Sequence, residues 1–313
     1  MKNALVFPGQ GSQRLNMMKD FYEEFQISRD VMDKACEILN FDLKSIVFGE
    51  DDMEITKTYN AQPALLTAST MVFRVLKSKG VNFSAVAGHS LGEYSALVAA
   101  DVLRFEDALR AVRLRGILME SAIPSGAGSM MAVLGLSPEK VEEVVRNFDG
   151  VYVANYNSPK QIVVSGEITS LLNSMERFKS AGTRRVILLN VSGPFHSPLM
   201  RPAKEEFSKF LNTLEFKSPS VPVVLNVTGK PAKSVDEIKK RLIDQLTSPV
   251  RWVSSVKSME KMDITNYIEV GPGNVLGGLI KRTTKAKIHS TDTVEEMEKT
   301  LEEVMKNARI AES

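Results

Sequence analysis

Apolar positions along this chain switch repeatedly between the period of a strand and that of a helix. NALVF near the start reads as a strand, and DFYEEF and SRDVMDKACEIL read as helices. AQPALLTASTMVFRVLKSKG predicts a long helix that closes on a glycine stop signal. FSAVAGHS then predicts a strand, EYSALVAADVL a helix and FEDALRAVRLRGILMESA another. Toward the other end, VPVVLNVTG, SVDEIKKRLIDQL, ITNYIEVG, VLGGLIKRTTK and AKIHS resume the alternation. Strand and helix signals in alternation predict an α/β domain with a largely parallel sheet.

The middle of the chain has another rhythm. SMMAVLG predicts a strand and SPEKVEEVVRNF a helix, with Ser137 as N-cap and Pro138 at the first helical position. VYVAN and QIVVSG predict strands joined by the turn YNSPK, followed by the helix ITSLLNSMERFKSAG and the strand RRVILLNV. That order is β-α-β-β-α-β, the ferredoxin-like arrangement. The expected organisation is an α/β domain from residues 1–124 and 193–313, with a small ferredoxin-like domain, 125–192, inserted. A cleft between the two is the natural ligand site.

Composition narrows the class. The 313 residues are 43% hydrophobic and 25% charged, the profile of a soluble globular protein, and only the charged C-terminal tail suggests disorder. A net charge of +2 is too small to make nucleic acid the main partner. No stretch approaches the roughly 20 apolar residues of a membrane span, and the apolar run at the start is too short for a signal peptide, so a cytoplasmic location is expected. Cys36 is the single cysteine, which excludes a disulfide framework and a cysteine-based zinc site; its helical pattern predicts a buried thiol.

The candidate chemistry lies in AVAGHSLGEYSALVAA, residues 85 to 100. Gly88-His89-Ser90-Leu91-Gly92 fits the G-x-S-x-G nucleophile elbow, with a strand before it and a helix after it. Such a turn presents the Ser90 hydroxyl at the edge of the sheet. It also points the Leu91 N–H toward a developing oxyanion at the start of the following helix. His89 leaves the elbow on the opposite side and reads as a packed, hydrogen-bonded residue. The base for Ser90 is then His196, in NVSGPFHSPLM, or His289, in AKIHSTD; both follow strand-like runs and both come after the serine. No acidic third member is evident beside His196, whereas Asp292 is close to His289.

Two glycine-rich strings mimic other sites. FPGQGSQ lacks the Lys-Ser/Thr ending of a phosphate-binding loop, and GPGNVLGG has the wrong spacing for a dinucleotide fingerprint. Tight turns with close packing explain these glycines, and neither a nucleotide cofactor nor a metal motif is expected.

The chain resembles the malonyl-coenzyme A:acyl carrier protein transacylases of fatty acid synthesis along essentially its whole length. The resemblance rests on FPGQGSQ (7–13), AQPAL (61–65), GHSLGEYSALVAA (88–100), RG with ILM (115–119) and NYNSPKQIVVSG (155–166). It continues through FHSPLM (195–200), NVTG (226–229), QLTSPVRW (245–252) and EVGPGNVLGGL (269–279). It implies a hydrolase-like core carrying a ferredoxin-like insert. It also implies a Ser90–His196 dyad and an oxyanion hole from the backbone N–H groups of Gln10 and Leu91. Arg115 would clamp the substrate's free carboxylate, and the main chain of Gln245 would orient the histidine in place of an acid. Asn155 and Gln62 match positions that line the cleft.

These implications make chemical sense. A guanidinium fork suits a carboxylate, and an ordinary esterase has no use for a cation beside its nucleophile. Arg110, Arg113 and Arg115 cannot share one helical face. Phe195, directly before His196, would fill the space that an α-methyl group on the acyl chain needs. The expected activity is a ping-pong malonyl transfer from malonyl-coenzyme A to the phosphopantetheine thiol of acyl carrier protein, with no permanently bound cofactor. An acidic carrier would dock on basic residues such as KRTTKAK (281–287), Arg110 and Arg113. The rivals are a serine thioesterase or esterase with the same dyad, and a non-catalytic carrier-protein-binding module.

Overall fold

The computed structural model describes residues 2–312, with side chains through 306. Among the described residues, the strands are β1 (Lys2–Phe7), β2 (Ala85–Gly88), β3 (Gly128–Leu134), β4 (Val151–Ser158) and β5 (Gln161–Glu167). They continue with β6 (Arg185–Leu188), β7 (Val223–Val224), β8 (Ile264–Glu269) and β9 (Lys287–Ser290). Five of them form a parallel sheet in the order β7-β2-β1-β8-β9. The other four form an antiparallel sheet in the order β4-β5-β3-β6.

The central strand explains the parallel sheet. Ala4, Leu5, Val6 and Phe7 are all buried, because helices cover both faces and the strand has no wet side. The residues alternate: Leu5 and Phe7 join one apolar cluster, while Ala4 and Val6 join another across the sheet. The second sheet has its own core, in which Met131, Val133, Val164, Leu171 and Phe178 meet beneath the helices Pro138–Val145 and Ile168–Ser180. The β-α-β-β-α-β order is the one read from the sequence.

One backbone junction ties the two sheets together. The Tyr156 N–H donates to the Val250 carbonyl at 2.8 Å, and the Val250 N–H donates to Ala154 at 2.8 Å. The edge strand β4 is thereby stitched to the segment that leads into helix Trp252–Glu260. This junction fixes the cleft between the sheets.

Several elements differ from the sequence pattern. The strand β4 runs on to Ser158, so only two residues remain for the turn before β5. VPVVLNVTG supplies just the two-residue β7, and RRVILLNV only the four residues of β6. Ser137 is at the N-cap but makes no side-chain capping bond. The charged C-terminal segment is helical over Val294–Glu312, not disordered. Val294, Met297, Leu301 and Val304 fall on one face and are buried against the large core. Cys36 is only half-buried, at the margin of that core.

The helix Thr58–Ser78 starts before the predicted Ala61 and carries Pro63 in its interior. Proline has no N–H for the carbonyl four residues earlier. That carbonyl, on Tyr59, accepts instead from the Arg113 guanidinium at 2.6 Å. Among the described residues, no helix is long and apolar enough to cross a membrane.

Candidate active site

The chain turns sharply between β2 and helix Gly92–Ala99. Ser90 has φ of 52°, in the left-handed region that a side chain rarely occupies. The glycines permit the turn: a Cβ on Gly92 would lie 2.1 Å from the Phe7 carbonyl oxygen, and one on Gly88 1.9 Å from Gly92. The Asn226 carboxamide locks the corner by accepting the Ser90 N–H at 2.7 Å and donating to the Gly88 carbonyl at 2.6 Å.

The Ser90 hydroxyl faces two groups. His196 Nε2 is 2.8 Å from Oγ, and Arg115 Nη2 is 3.1 Å away. His196 also has a left-handed backbone, with φ of 59°, in the rigid loop that returns from the second sheet. Its Nδ1–H donates to the Gln245 carbonyl at 2.8 Å. Burial, and then the nearby Arg115 charge, push its pKa down to about 3, so the imidazole is neutral at neutral pH. His289 is elsewhere: it lies in β9, against Glu303 on the C-terminal helix at 3.4 Å. The neighbouring Asp292 pairs with Arg14.

Around the serine, donors are free and the cation is sequestered. Among the described residues, the Gln10 and Leu91 N–H groups have no hydrogen-bond acceptor. Arg115 is 1% exposed, yet no carboxylate among the described residues reaches ion-pair distance of it. Its guanidinium donates to Gln62 Oε1 and to Gln245 Oε1, both at 2.8 Å, and lies over the Tyr94 ring. Its Nε has no partner among the described residues. Burial of a cation without a counterion costs several kcal/mol, so an incoming anion gains what the fold forgoes.

The cleft has a volume of about 590 Å³. Gln10 and Ser90, in the turns after β1 and β2, and Arg115, on helix Phe105–Ser121, line one side, and Met130, Asn155 and Val163 of the antiparallel sheet the other, with Phe195 and His196 also in the lining. Gln62, expected to line the cleft, stands behind Arg115: it is fully buried, and its amide is committed to Arg115 and to the Met119 sulfur. Phe195 is buried with its ring toward Gly193. Asn155 Nδ2 is 3.5 Å from His89, whose Nε2 is 2.7 Å from Asn157 Oδ1 and whose ring meets the edge of Trp252. His89 is therefore packed and hydrogen-bonded beside the nucleophile.

The three arginines of helix Phe105–Ser121 point to different environments. Arg115 faces the nucleophile and Arg110 is exposed beside Asp107 at 3.6 Å. Arg113 lies over the rings of Phe41 and Tyr59 and also donates to Asn60. Its Nη1 is thus committed to the helix that carries Pro63. Lys281 and Arg282 are exposed, and Arg282 reaches Gln161 of β5 at 2.7 Å. Among the described residues, no group of three His, Cys, Asp or Glu side chains is placed to hold a metal ion.

Sequence reasoning missed Asn226, Glu93 and Asn157 as parts of this site. Asn226 opens NVTG and Glu93 sits in GHSLGEYS, but linear spacing does not show that they converge 133 residues apart on one hydrogen bond.

Known proteins resemble this chain along its length. The malonyl CoA-acyl carrier protein transacylase of Bacillus subtilis (strain 168) is 43% identical, over 98% of this chain and 99% of its own. The solved structure of the malonyl CoA-acyl carrier protein transacylase from Clostridium perfringens superposes with a TM-score of 0.96 at 35% identity, covering 100% of both chains. A malonyl-transacylase solved in complex with a type II PKS acyl-carrier protein has a TM-score of 0.94 at 38% identity, covering 97% of this chain and 100% of that one. The acyl transferase domain family matches residues 4–312, and this chain belongs to it.

Proposed function

We propose that this enzyme moves a malonyl group from malonyl-coenzyme A to the phosphopantetheine thiol of acyl carrier protein. The observation that carries this reading is the buried Arg115 cation, 3.1 Å from the Ser90 hydroxyl and, among the described residues, without a counterion of its own. A neutral acyl group has no use for it; the free carboxylate of a malonyl group does.

His196 Nε2 takes the Ser90 proton as Oγ attacks the thioester carbonyl. The oxyanion is held by the N–H groups of Gln10 and Leu91, and one such donor is typically worth ~3–4 kcal/mol. The carbon–sulfur bond then breaks, and His196 gives its proton to the departing coenzyme A thiolate. The phosphopantetheine thiol attacks malonyl-Ser90 by the same steps reversed, while Arg115 keeps the acyl group in place. Residues 125–192, as an inserted unit, supply the wall of the cleft that faces the acyl chain, and Phe195 fills the space of an α-methyl branch. No cofactor enters the route. The reaction belongs in the cytoplasm, with both of its thiol carriers.

Intact mass spectrometry with malonyl-coenzyme A tests the reading. A malonyl adduct is expected on the parent, absent from Ser90→Ala and transferred to added carrier protein. Accumulation of free malonate without an adduct would overturn it in favour of a thioesterase.

A further inference from the structure

Among the described residues Arg115 has no direct counterion, but a buried carboxylate lies one residue behind it. Glu93, on helix Gly92–Ala99, is fully buried and does not face the cleft. Its Oε1 accepts the Asn226 N–H at 3.2 Å and its Oε2 accepts from the Gln245 carboxamide. The Gln245 carboxamide is two-ended. Its nitrogen donates to Glu93 and to the Ser90 carbonyl, at 3.0 Å for the latter, so its oxygen must face the other way and accepts from Arg115. An amide that turned over would set Oε1 against a carboxylate and Nε2 against a guanidinium, both repulsive.

From this chain of contacts we infer that Glu93 is a positioning residue for acyl-group selection: it fixes the Gln245 carboxamide and, through it, aims Arg115 at the acyl group on Ser90. The inference rests on the carboxylate-clamp role of Arg115. Burial raises the Glu93 pKa to about 7, with the Asn226 and Gln245 donors and the Arg115 charge opposing the rise. Arg115, Gln245 and Asn226 are the groups that face Glu93 from the elements packed on it.

The substitution Glu93→Gln tests this. The one remaining carboxamide oxygen stays with the Asn226 N–H, which the backbone holds in place. The Gln245 carboxamide nitrogen then loses its carboxylate acceptor and keeps the Ser90 carbonyl. Ser90 acylation is followed with two probes, malonyl-coenzyme A and the neutral ester p-nitrophenyl acetate, which has no carboxylate for Arg115. Glu93→Gln is expected to lower kcat/KM for malonyl-coenzyme A by about 10- to 100-fold, mostly through KM, and to leave the ester within about twofold. Glu93→Asp, whose carboxylate is one methylene short of the Gln245 amide, carries the same expectation, should Glu93→Gln fail to fold.

Equal losses on both probes would make Glu93 a structural residue and overturn the inference, as would a parent-like malonyl rate. In the double variant with Arg115→Ala, Glu93→Gln should cost malonyl loading nothing further, and an added loss would overturn it too. Arg115→Ala alone keeps the two readings apart. If it does not selectively impair malonyl loading, the clamp itself is wrong; if it does and Glu93→Gln does not, only the positioning role falls.

Discussion

The Gln245 carbonyl oxygen, 2.8 Å from His196 Nδ1, decides which imidazole nitrogen carries the proton. A carbonyl can only accept, so Nδ1 is protonated and Nε2 presents its lone pair to the Ser90 hydroxyl. A carboxylate in that place would also stabilise the imidazolium; the carbonyl dipole does so less. The base is therefore oriented as in a triad but lacks the triad's negative charge.

Acid tolerance follows from that environment. Burial first and Arg115 second hold the His196 pKa at about 3, and a general base works only while unprotonated. Acylation by the neutral p-nitrophenyl acetate should accordingly keep its rate from pH 7.5 down to 5, where a free imidazole is mostly charged. Removing the cation in Arg115→Ala should shift the acid limb to higher pH. Stopped-flow pH profiles of both proteins check this, and a parent profile that bends near 6.5 would contradict it. The same shift has a stability cost in acid. Between about 6.5 and 3 the unfolded chain binds a proton at this histidine that the folded one refuses, so stability falls as pH falls through that window.

Asn226 holds the strained corner on which the dyad depends. Asn226→Ala leaves the Ser90 N–H and the Gly88 carbonyl without their partner, at a cost of about 1–3 kcal/mol for a buried polar group. The Ser90 backbone should relax from its positive φ and carry Oγ away from His196. Malonyl loading and ester acylation should both drop, roughly 10-fold or more, with a lower midpoint of thermal unfolding. A variant with parent-like acylation of both probes would show that the glycines alone hold the elbow.

Arg113 separates a structural charge from a docking charge. The Tyr59 carbonyl, deprived of its helical donor by Pro63, depends on the Arg113 guanidinium. Arg113→Met should therefore lower stability by about 1–2 kcal/mol, read from denaturant unfolding, without a change in KM for carrier protein. The opposite pair of results would return Arg113 to the docking surface.

Local signals carried much of the fold. The strand–turn–helix around Ser90, the run Ala4–Phe7 and the β-α-β-β-α-β order are properties of contiguous residues, and periodicity reports them. The helix Arg201–Thr213 and the helical C-terminal segment were not read, because their polar faces dominate and only a few residues, such as Phe207 and Leu301, reach the core. At the site, the elbow was legible as spacing, but the choice between His196 and His289 was not. It depends on which loop crosses the cleft, a long-range fact that only the family resemblance supplied in advance. Gln245 shows the same limit: the resemblance pointed to its main chain, while its side chain joins Arg115, Glu93 and Ser90 in ways no linear pattern reveals.

The carrier protein should meet the basic end of helix Val275–Ile280. Lys281 and Arg282 are exposed there, and the bond from Arg282 to Gln161 brings the charge to the antiparallel sheet as well. An acidic carrier steered by these charges would lose encounter rate when they are reversed, and the effect would fade at high salt. Lys281→Glu with Arg282→Glu is expected to raise KM for carrier protein several-fold while leaving malonyl-coenzyme A loading unchanged, since neither side chain lines the cleft. Steady-state transfer at low and high ionic strength measures both quantities. Equal effects on the two substrates would point to a distorted cleft, and no effect on either would move the docking site elsewhere.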